Sequence, residues 1–244
     1  MNKKTTTTKK ATKKAKKNAP KMTRAEQLQD TIRRYWDCVA RIKAGEIPAV
    51  CISDGNRKIG AIKNVSLIPI FRCIHCDACA GICYALKSLM YENVRDAWAR
   101  NTAISELLPD YYFSEISRAC RVLHVFRWHV AGDVTTPEYF RGVVRVAVEN
   151  PHCEFLMFTK SYEIINDYIN GGGVVPSNLH ITLSDFETFH CDNPHALPVT
   201  DVINNADELP AGGKLCGGNC TNCVCRGVGC WELKKGERLY FIKH

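Results

Sequence analysis

Four cysteines within eleven residues, Cys73-Ile-His-Cys76-Asp-Ala-Cys79-Ala-Gly-Ile-Cys83, constrain this chain more than any other stretch. The spacing is C-x2-C-x2-C-x3-C, the bacterial ferredoxin run for an iron–sulfur cluster, with Tyr84 where ferredoxins place proline. Two intervening residues let successive sulfurs turn inward, so thiolates at these intervals can converge on one centre. A second dense group, Cys216, Cys220, Cys223, Cys225 and Cys230, comes near the end of the sequence. The chain is therefore read as a metalloprotein with two cysteine-rich sites.

Fourteen cysteines would suit a disulfide framework in an oxidising compartment. The N-terminus lacks the apolar stretch of a signal peptide, and no apolar run is long enough to span a membrane. A cytoplasmic location follows as the expectation, and with it metal ligation rather than cross-linking. The net charge of +8 is unevenly placed. Residues 1–21 carry nine lysines and no acid, which leaves about −1 for the rest. This Lys/Thr/Ala tail has no aromatic residue and too little apolar surface to offset its ordering entropy, so it is expected to be disordered. It is either a contact for phosphate backbones or a solvating extension.

Beyond the tail, Met22 to Lys43 reads as a helix, with Thr23 and Glu26 in capping-box spacing. Ile47 to Ile52 reads as a strand. Tyr84 to Leu107 and Phe113 to Leu123 read as helices. Then the period changes. Strands are expected at Val125 to Val130, Glu154 to Phe158 and Leu179 to Leu183. Helices separate them, the first capped by Thr136 with Pro137 at its first position. Alternating strands and helices with short links indicate right-handed parallel units. The expected fold is α/β: a partial or irregular (β/α) barrel with Cys-rich metal-binding loops, or alternatively an open doubly wound sheet. The chain divides into the tail (1–21), a barrel-like domain (22–210) and a Cys-rich metal-binding segment (211–244).

In parallel α/β folds chemistry collects at the carboxyl ends of the strands. Here those ends are Gly132-Asp133, Thr159-Lys160 and Ser184-Asp185. Strict alternation along Val125 to Val130 puts Phe126, Trp128 and Val130 on one face and Arg127 and His129 on the other. Arg127 and His129 would then point into a lumen, where they need a partner such as a bound anion. The candidate catalytic residues are Arg127, His129, Asp133, Lys160 and Asp185. Arg127 and His129 could equally be a buried structural pair, and Lys160 and Asp185 could cap helices.

Cys73, Cys76, Cys79 and Cys83 are the expected ligands of a 4Fe–4S cluster, because structural zinc sites tend to come as two separated pairs. His75, inside the run, is expected to stand outside the ligand set. In the later group, Cys216-x3-Cys220-x2-Cys223 has the spacing of the radical S-adenosylmethionine (SAM) motif. Cys230 is the fourth candidate ligand and Cys225 an extra one. That site reads as a second 4Fe–4S cluster or a zinc knuckle.

Taken together, Ser66-Leu67, the cysteine run with Tyr84-Ala85, Phe126-Arg-Trp-His-Val-Ala-Gly-Asp133, Phe158-Thr-Lys160, Leu183-Ser184 and Gly229-Cys230-Trp231 resemble the phage "gene product 88" family over roughly residues 45 to 244. The resemblance implies a phage or prophage origin, hence the host cytoplasm. A cysteine cluster followed by strands ending in Gly-Asp and Thr-Lys is similar, more distantly, to phage families related to radical-SAM barrels, which makes SAM a candidate ligand. One departure counts against that likeness: a cluster with four thiolates has no open iron for SAM to chelate. The functional expectation is a redox or radical iron–sulfur enzyme with an electron donor and an unidentified substrate. The alternatives are a zinc-bound nucleic-acid-binding protein and a non-catalytic protein with structural clusters.

Overall fold

The computed structural model describes residues 22–74, 77–186 and 191–243. The lysine-rich tail, His75 and Cys76 lie outside the described residues. Helix α1 (Arg24–Lys43) begins with the expected capping box: Thr23 N–H donates to Glu26 at 2.7 Å and Glu26 N–H donates to Thr23 Oγ1 at 3.2 Å. Its buried side, Tyr35, Cys38 and Val39, packs on Trp98, Ala99 and Ala103. Those residues belong to α3 (Glu92–Leu107). The expected strand at Ile47 to Ile52 does not form. The side chain of Asn101 bonds both backbone groups of Cys51 at 2.8 Å, doing there what a neighbouring strand would do.

The single helix expected from Tyr84 to Leu107 is divided. A short helix, α2 (Asp77–Gly81), and a 3₁₀ turn over Tyr84–Met90 precede Tyr91, whose extended backbone breaks the path before α3 begins. Pro109 then opens α4 (Pro109–Cys120). The α/β alternation follows as β2 (Val125–Trp128), α5 (Pro137–Glu149), β3 (Glu154–Thr159), α6 (Tyr162–Asn170) and β4 (Leu179–Ser184). The sheet also holds β1 (Lys63–Val65), β5 (Val199–Ile203), β6 (Lys214–Leu215) and β7 (Arg238–Ile242), and a helix α7 (Cys220–Arg226) lies between the last two strands.

The strands form one seven-stranded sheet in the order β1-β2-β3-β4-β5-β7-β6, and every pairing is parallel. The fold is thus α/β, as expected, but the sheet is open. Its edges are β1 and β6, of three and two residues, too short to give the long staggered ladder that closure needs. Of the alternative, an open doubly wound sheet, the open parallel sheet is found, but α4, α5 and α6 all cover the same face. Residues 211–244 do not stand apart, since β6 and β7 are strands of this sheet.

The covered face is built in cross-strand rows. Phe126 is in register with Phe155 and Phe155 with Leu179, while Trp128 aligns with Met157 and Met157 with Ile181. All six are buried against Tyr112, Phe113, Phe140 and Val143 of α4 and α5. Gly142 allows the helices to approach, since a Cβ there would lie 2.3 Å from the Phe113 ring. The opposite face carries Arg127, Leu156 and Phe158. Leu156 packs with Ile62 and Trp231, and Phe158, Cys220, Cys223 and Cys230 close over them. Helices therefore cover one side and the cysteine-rich C-terminal segment the other.

Asn178 fastens the entry into β4. Its side-chain amide donates to the carbonyls of Ala147, Asn150 and Cys153 at 3.1, 3.1 and 2.9 Å. Truncation removes a donor from each of these carbonyls, although those of Ala147 and Asn150 keep the backbone N–H groups of Asn150 and Cys153, so Asn178→Ala is expected to lower stability by about 1–3 kcal/mol, read as a fall in the urea midpoint with an unchanged slope.

Candidate functional site

At the carboxyl ends of β1 to β4 lies a cavity of about 130 Å³. Cys73, Cys79 and Cys83 line it together with Tyr84, His129, Gly132, Asp133, Lys160 and Ser184. Several backbone contacts bring these loops together. Leu67 N–H donates to Ala131 O at 2.9 Å and Asp133 N–H to Arg72 O at 3.2 Å, so the loop after β2 runs beside the segment leading into the cysteine run. Gly132 makes that approach available: its φ is +83° and a Cβ would meet that of Leu67 at 2.5 Å. On the far side of the run, Tyr84 OH donates to Val130 O at 2.8 Å.

Asp133 is the knot. Its carboxylate accepts from Thr159 Oγ1 at 2.6 Å, Val134 N–H at 2.7 Å and Lys160 N–H at 2.9 Å, which joins the ends of β2 and β3. Burial raises its pKa, and those donors oppose the rise without cancelling it. The Lys160 ammonium stands over the Phe186 ring, 5.8 Å from its centre.

His129 does not continue β2. Its φ is +52°, a left-handed conformation uncommon outside glycine. The ring is thereby turned to Tyr139 on α5, with Nε2 2.9 Å from the hydroxyl. Only 3% of the residue is exposed, and burial lowers its pKa to about 3, so the imidazole is neutral. The expected pairing of Arg127 with His129 is thus not formed. Arg127 points to the opposite face of the sheet, where its guanidinium lies 4.8 Å from the Phe158 ring centre and donates to Cys220 Sγ at 3.4 Å. Asp185 is also apart from the cavity lining. Arg238 bridges it, at 2.8 Å, to Asp201, at 3.0 Å. Of the five candidate catalytic residues, His129, Asp133 and Lys160 share the cavity.

Burial pushes the Cys73 thiol up to about 12, and the negative charge of Asp133 and the neighbouring Cys83 and Cys79 add to the rise. A comparable group gathers on the Arg127 side. Cys230 is pushed up to about 12, by burial first and then by Cys216, Cys220 and Cys223, with Arg127 opposing. Glycines crowd those sulfurs: Gly218 N–H lies 3.5 Å from Cys216 Sγ, and a Cβ on Gly229 would lie 3.1 Å from Cys223 Sγ. Cys225 is exposed on α7. Among the described residues, no three His, Cys, Asp or Glu side chains stand in a metal-holding arrangement. Among the described residues, thiols therefore gather at two places without being set in coordination geometry. Also among the described residues, no helix is long and apolar enough to cross a membrane.

A family profile described as "Gene product 88" matches residues 2–216. The match extends further toward the N-terminus than the resemblance read from the motifs, taking in the lysine-rich tail, and it ends at Cys216, before Cys220, Cys223 and Cys230. Searches of curated proteins and of solved structures each found no match.

The buried neutral His129 has a consequence for stability. Its folded pKa of about 3 lies below the ordinary 6.5, so between those values the unfolded chain binds the extra proton. Its contribution is fully present above pH 6.5 and is lost as pH falls toward 3. Between pH 7 and pH 5 the wild type should lose about 2 kcal/mol more than His129→Gln, measured by urea denaturation at each pH. Parallel losses in the two proteins would contradict a buried neutral ring.

Proposed function

We propose, from the premise that this chain belongs to the gene product 88 family, that it is a phage-type iron–sulfur protein, a redox or radical enzyme working in the cavity at the strand ends. The observation that carries this reading is the meeting of two independent features. Cys73, Cys79 and Cys83, members of one ferredoxin-type run, line the same cavity as His129, Asp133 and Lys160 from the ends of β2 and β3. The open sheet is read as an unclosed (β/α) barrel with this cavity at its mouth.

The donor set suits an iron–sulfur cluster. Burial, Asp133 and the neighbouring thiols make the Cys73 thiolate costly to form alone, and a multiply charged centre would stabilise it. Cys73, Cys76, Cys79 and Cys83 would hold a 4Fe–4S cluster, which supplies one-electron transfer when bound. Around it the chain's own residues perform separate tasks. Asp133 holds the strand ends in place, Tyr84 ties the run to the loop after β2, and Lys160 gives the cavity a positive charge. Turnover would require a low-potential electron donor. SAM remains a candidate ligand, against the objection that four thiolates leave no iron open.

Cys216, Cys220, Cys223 and Cys230 are proposed as a second site, either 4Fe–4S or zinc. A specific observation favours a structural task there: three of these cysteines pack with Leu156 and Trp231 over the sheet face that the helices leave uncovered. Removing them would expose that apolar face to water.

Anaerobic purification with iron, sulfide and zinc analysis tests both sites. One 4Fe–4S cluster predicts about four irons and four sulfides per chain. Cys79→Ser should abolish the brown colour of the first site, and Cys223→Ser should lower the metal content of the second together with thermal stability. Colourless wild-type protein carrying only zinc would overturn the iron–sulfur reading. Adding SAM to dithionite-reduced protein tests its radical form, and no SAM cleavage would remove that form.

A further inference from the structure

Arg127 is a cation without a carboxylate. Strand alternation brings it to the sheet face that the cysteine-rich segment covers, in register with Leu156. There its guanidinium lies 4.8 Å from the Phe158 ring centre and donates to Cys220 Sγ at 3.4 Å. Its Nε is buried with no hydrogen-bond partner among the described residues. Acids elsewhere on the sheet are already engaged. Glu154, on the same face of β3, is held by His180 at 2.7 Å, and Arg238 holds both Asp185 and Asp201. Among the described residues Arg127 forms no ion pair.

What the guanidinium faces instead is sulfur. Cys216, Cys220 and Cys223 act on buried Cys230 through their charges, and Arg127 opposes them. Arg226, exposed on α7, acts on Cys223 in the same sense. No carboxylate is among the groups that act most on Cys223 or Cys230. A neutral thiol is a weak acceptor and gives a half-buried guanidinium little in exchange for water. The same sulfur bound to a metal is a thiolate, and the contact becomes a charge-assisted hydrogen bond. Four thiolates outweigh a divalent ion or a cluster core of equal charge, so a loaded site is an anion. Arg127 offsets it from the sheet and Arg226 from the solvent side. Disulfides in the same place would leave Arg127 facing neutral sulfur.

Both ends of the contact are fixed from outside the cysteine group. Phe158 backs the guanidinium and packs with Cys220, Cys223 and Cys230. Cys220 N–H donates to Lys58 O at 3.2 Å, and the neighbouring Thr221 Oγ1 donates to Ile59 O at 3.2 Å and accepts Ala61 N–H at 3.1 Å. Gly60 opens the room for this seat, since a Cβ there would lie 2.0 Å from Thr221 Oγ1. Groups that hold a ligand atom from behind in this way orient it and strengthen metal binding.

We propose that Arg127 is the counter-ion of the C-terminal metal centre, donating to the Cys220 sulfur and setting its charge against the four-thiolate anion. It is a positioning residue of that centre, not a catalytic one. The proposal rests on reading Cys216, Cys220, Cys223 and Cys230 as a metal site and is the same for zinc and for a 4Fe–4S cluster.

The test uses full-length protein carrying Cys79→Ser, purified anaerobically, so that the metal counted belongs to the C-terminal site. Arg127→Met keeps bulk against Phe158 and removes charge and donor, and Arg127→Lys restores the charge. Where analysis finds zinc, zinc affinity by chelator competition should fall about ten- to a hundredfold in Arg127→Met and recover in part in Arg127→Lys. Where it finds iron and sulfide, the reduction potential of the centre should shift downward in Arg127→Met and less in Arg127→Lys. A lost cation and a lost hydrogen bond to sulfur both disfavour the added electron. A guanidinium that only filled space would be replaced by Met with no change in either quantity. Stability gives a second reading. Arg127→Met should lower the urea midpoint of loaded protein but not that of chelator-stripped protein, where the guanidinium faces neutral thiols. Should Arg127→Met fail to fold, Arg127→Gln takes its place and should show losses of the same sign. Unchanged affinity or potential, no recovery by Arg127→Lys, or equal falls in the loaded and stripped midpoints would each overturn the proposal alone. A Cys79→Ser parent without metal would overturn the second-site reading and this proposal with it.

Discussion

The buried carboxylate of Asp133 is the interaction on which the cavity depends. An ionised carboxylate out of water is unfavourable unless donors surround it, and here three converge from Thr159, Val134 and Lys160. The network continues inward. Ser161 N–H donates to Thr159 Oγ1 at 3.0 Å, and Ser161 Oγ donates to Val134 O at 2.6 Å. Two strand ends that would otherwise be separate loops become one rigid edge. The cysteine run then rests on this edge through the Asp133 N–H contact with Arg72 O. Removing the carboxylate would loosen both the base of the cavity and the seat of the first cysteines.

The sheet acts as a partition with different solvents on its two sides. One side is an ordinary helix-covered core of aromatic rows. The other is closed by a short segment rich in glycine and cysteine, where few large side chains are present to fill space. Arg127 and Phe158 occupy the boundary. Phe158 lines the cavity at the strand ends and also packs with the C-terminal cysteines. Arg127 lies against the Phe158 ring and donates to Cys220 Sγ. The two cysteine groups thus sit to either side of one cation–aromatic pair.

Much of this arrangement is legible in the sequence. The alternation of strands and helices from Val125 to Ser184 follows from hydrophobic period, and the rule that polar residues at strand ends gather in parallel folds leads to Asp133 and Lys160. What escapes is set by distant partners or by single dihedral angles. The period-two rule pairs His129 with Arg127, but it holds only while the backbone stays extended, and the positive φ at His129 ends it. Asp185 looks equivalent to Asp133 in sequence, yet Arg238, 53 residues further on, engages it. The Ile47 to Ile52 stretch has strand composition, but the Asn101 side chain takes up the Cys51 backbone groups. Strands β5 and β7, Val199-Thr-Asp-Val-Ile203 and Arg238-Leu-Tyr-Phe-Ile242, are rich in strand-forming types, but they are short and no long helical period flanks them to mark further strand–helix units.

The one departure from the ferredoxin run has a physical account. In two-cluster ferredoxins the fourth cysteine of the run serves the other cluster and is followed by proline. Here Cys83 lines the same cavity as Cys73 and Cys79, and the next residue is Tyr84. Proline at that position could not offer the hydroxyl that reaches Val130 O at 2.8 Å. The tyrosine exchanges a locally stiffened loop for a tether to the strand end. A ferredoxin loop organises itself around its cluster and a second loop. This one is organised around the sheet, so its thiols are placed by the same Asp133-centred edge that places His129 and Lys160. Under the function proposed above, that shared support would make a redox centre and a ligand pocket at this mouth parts of one site.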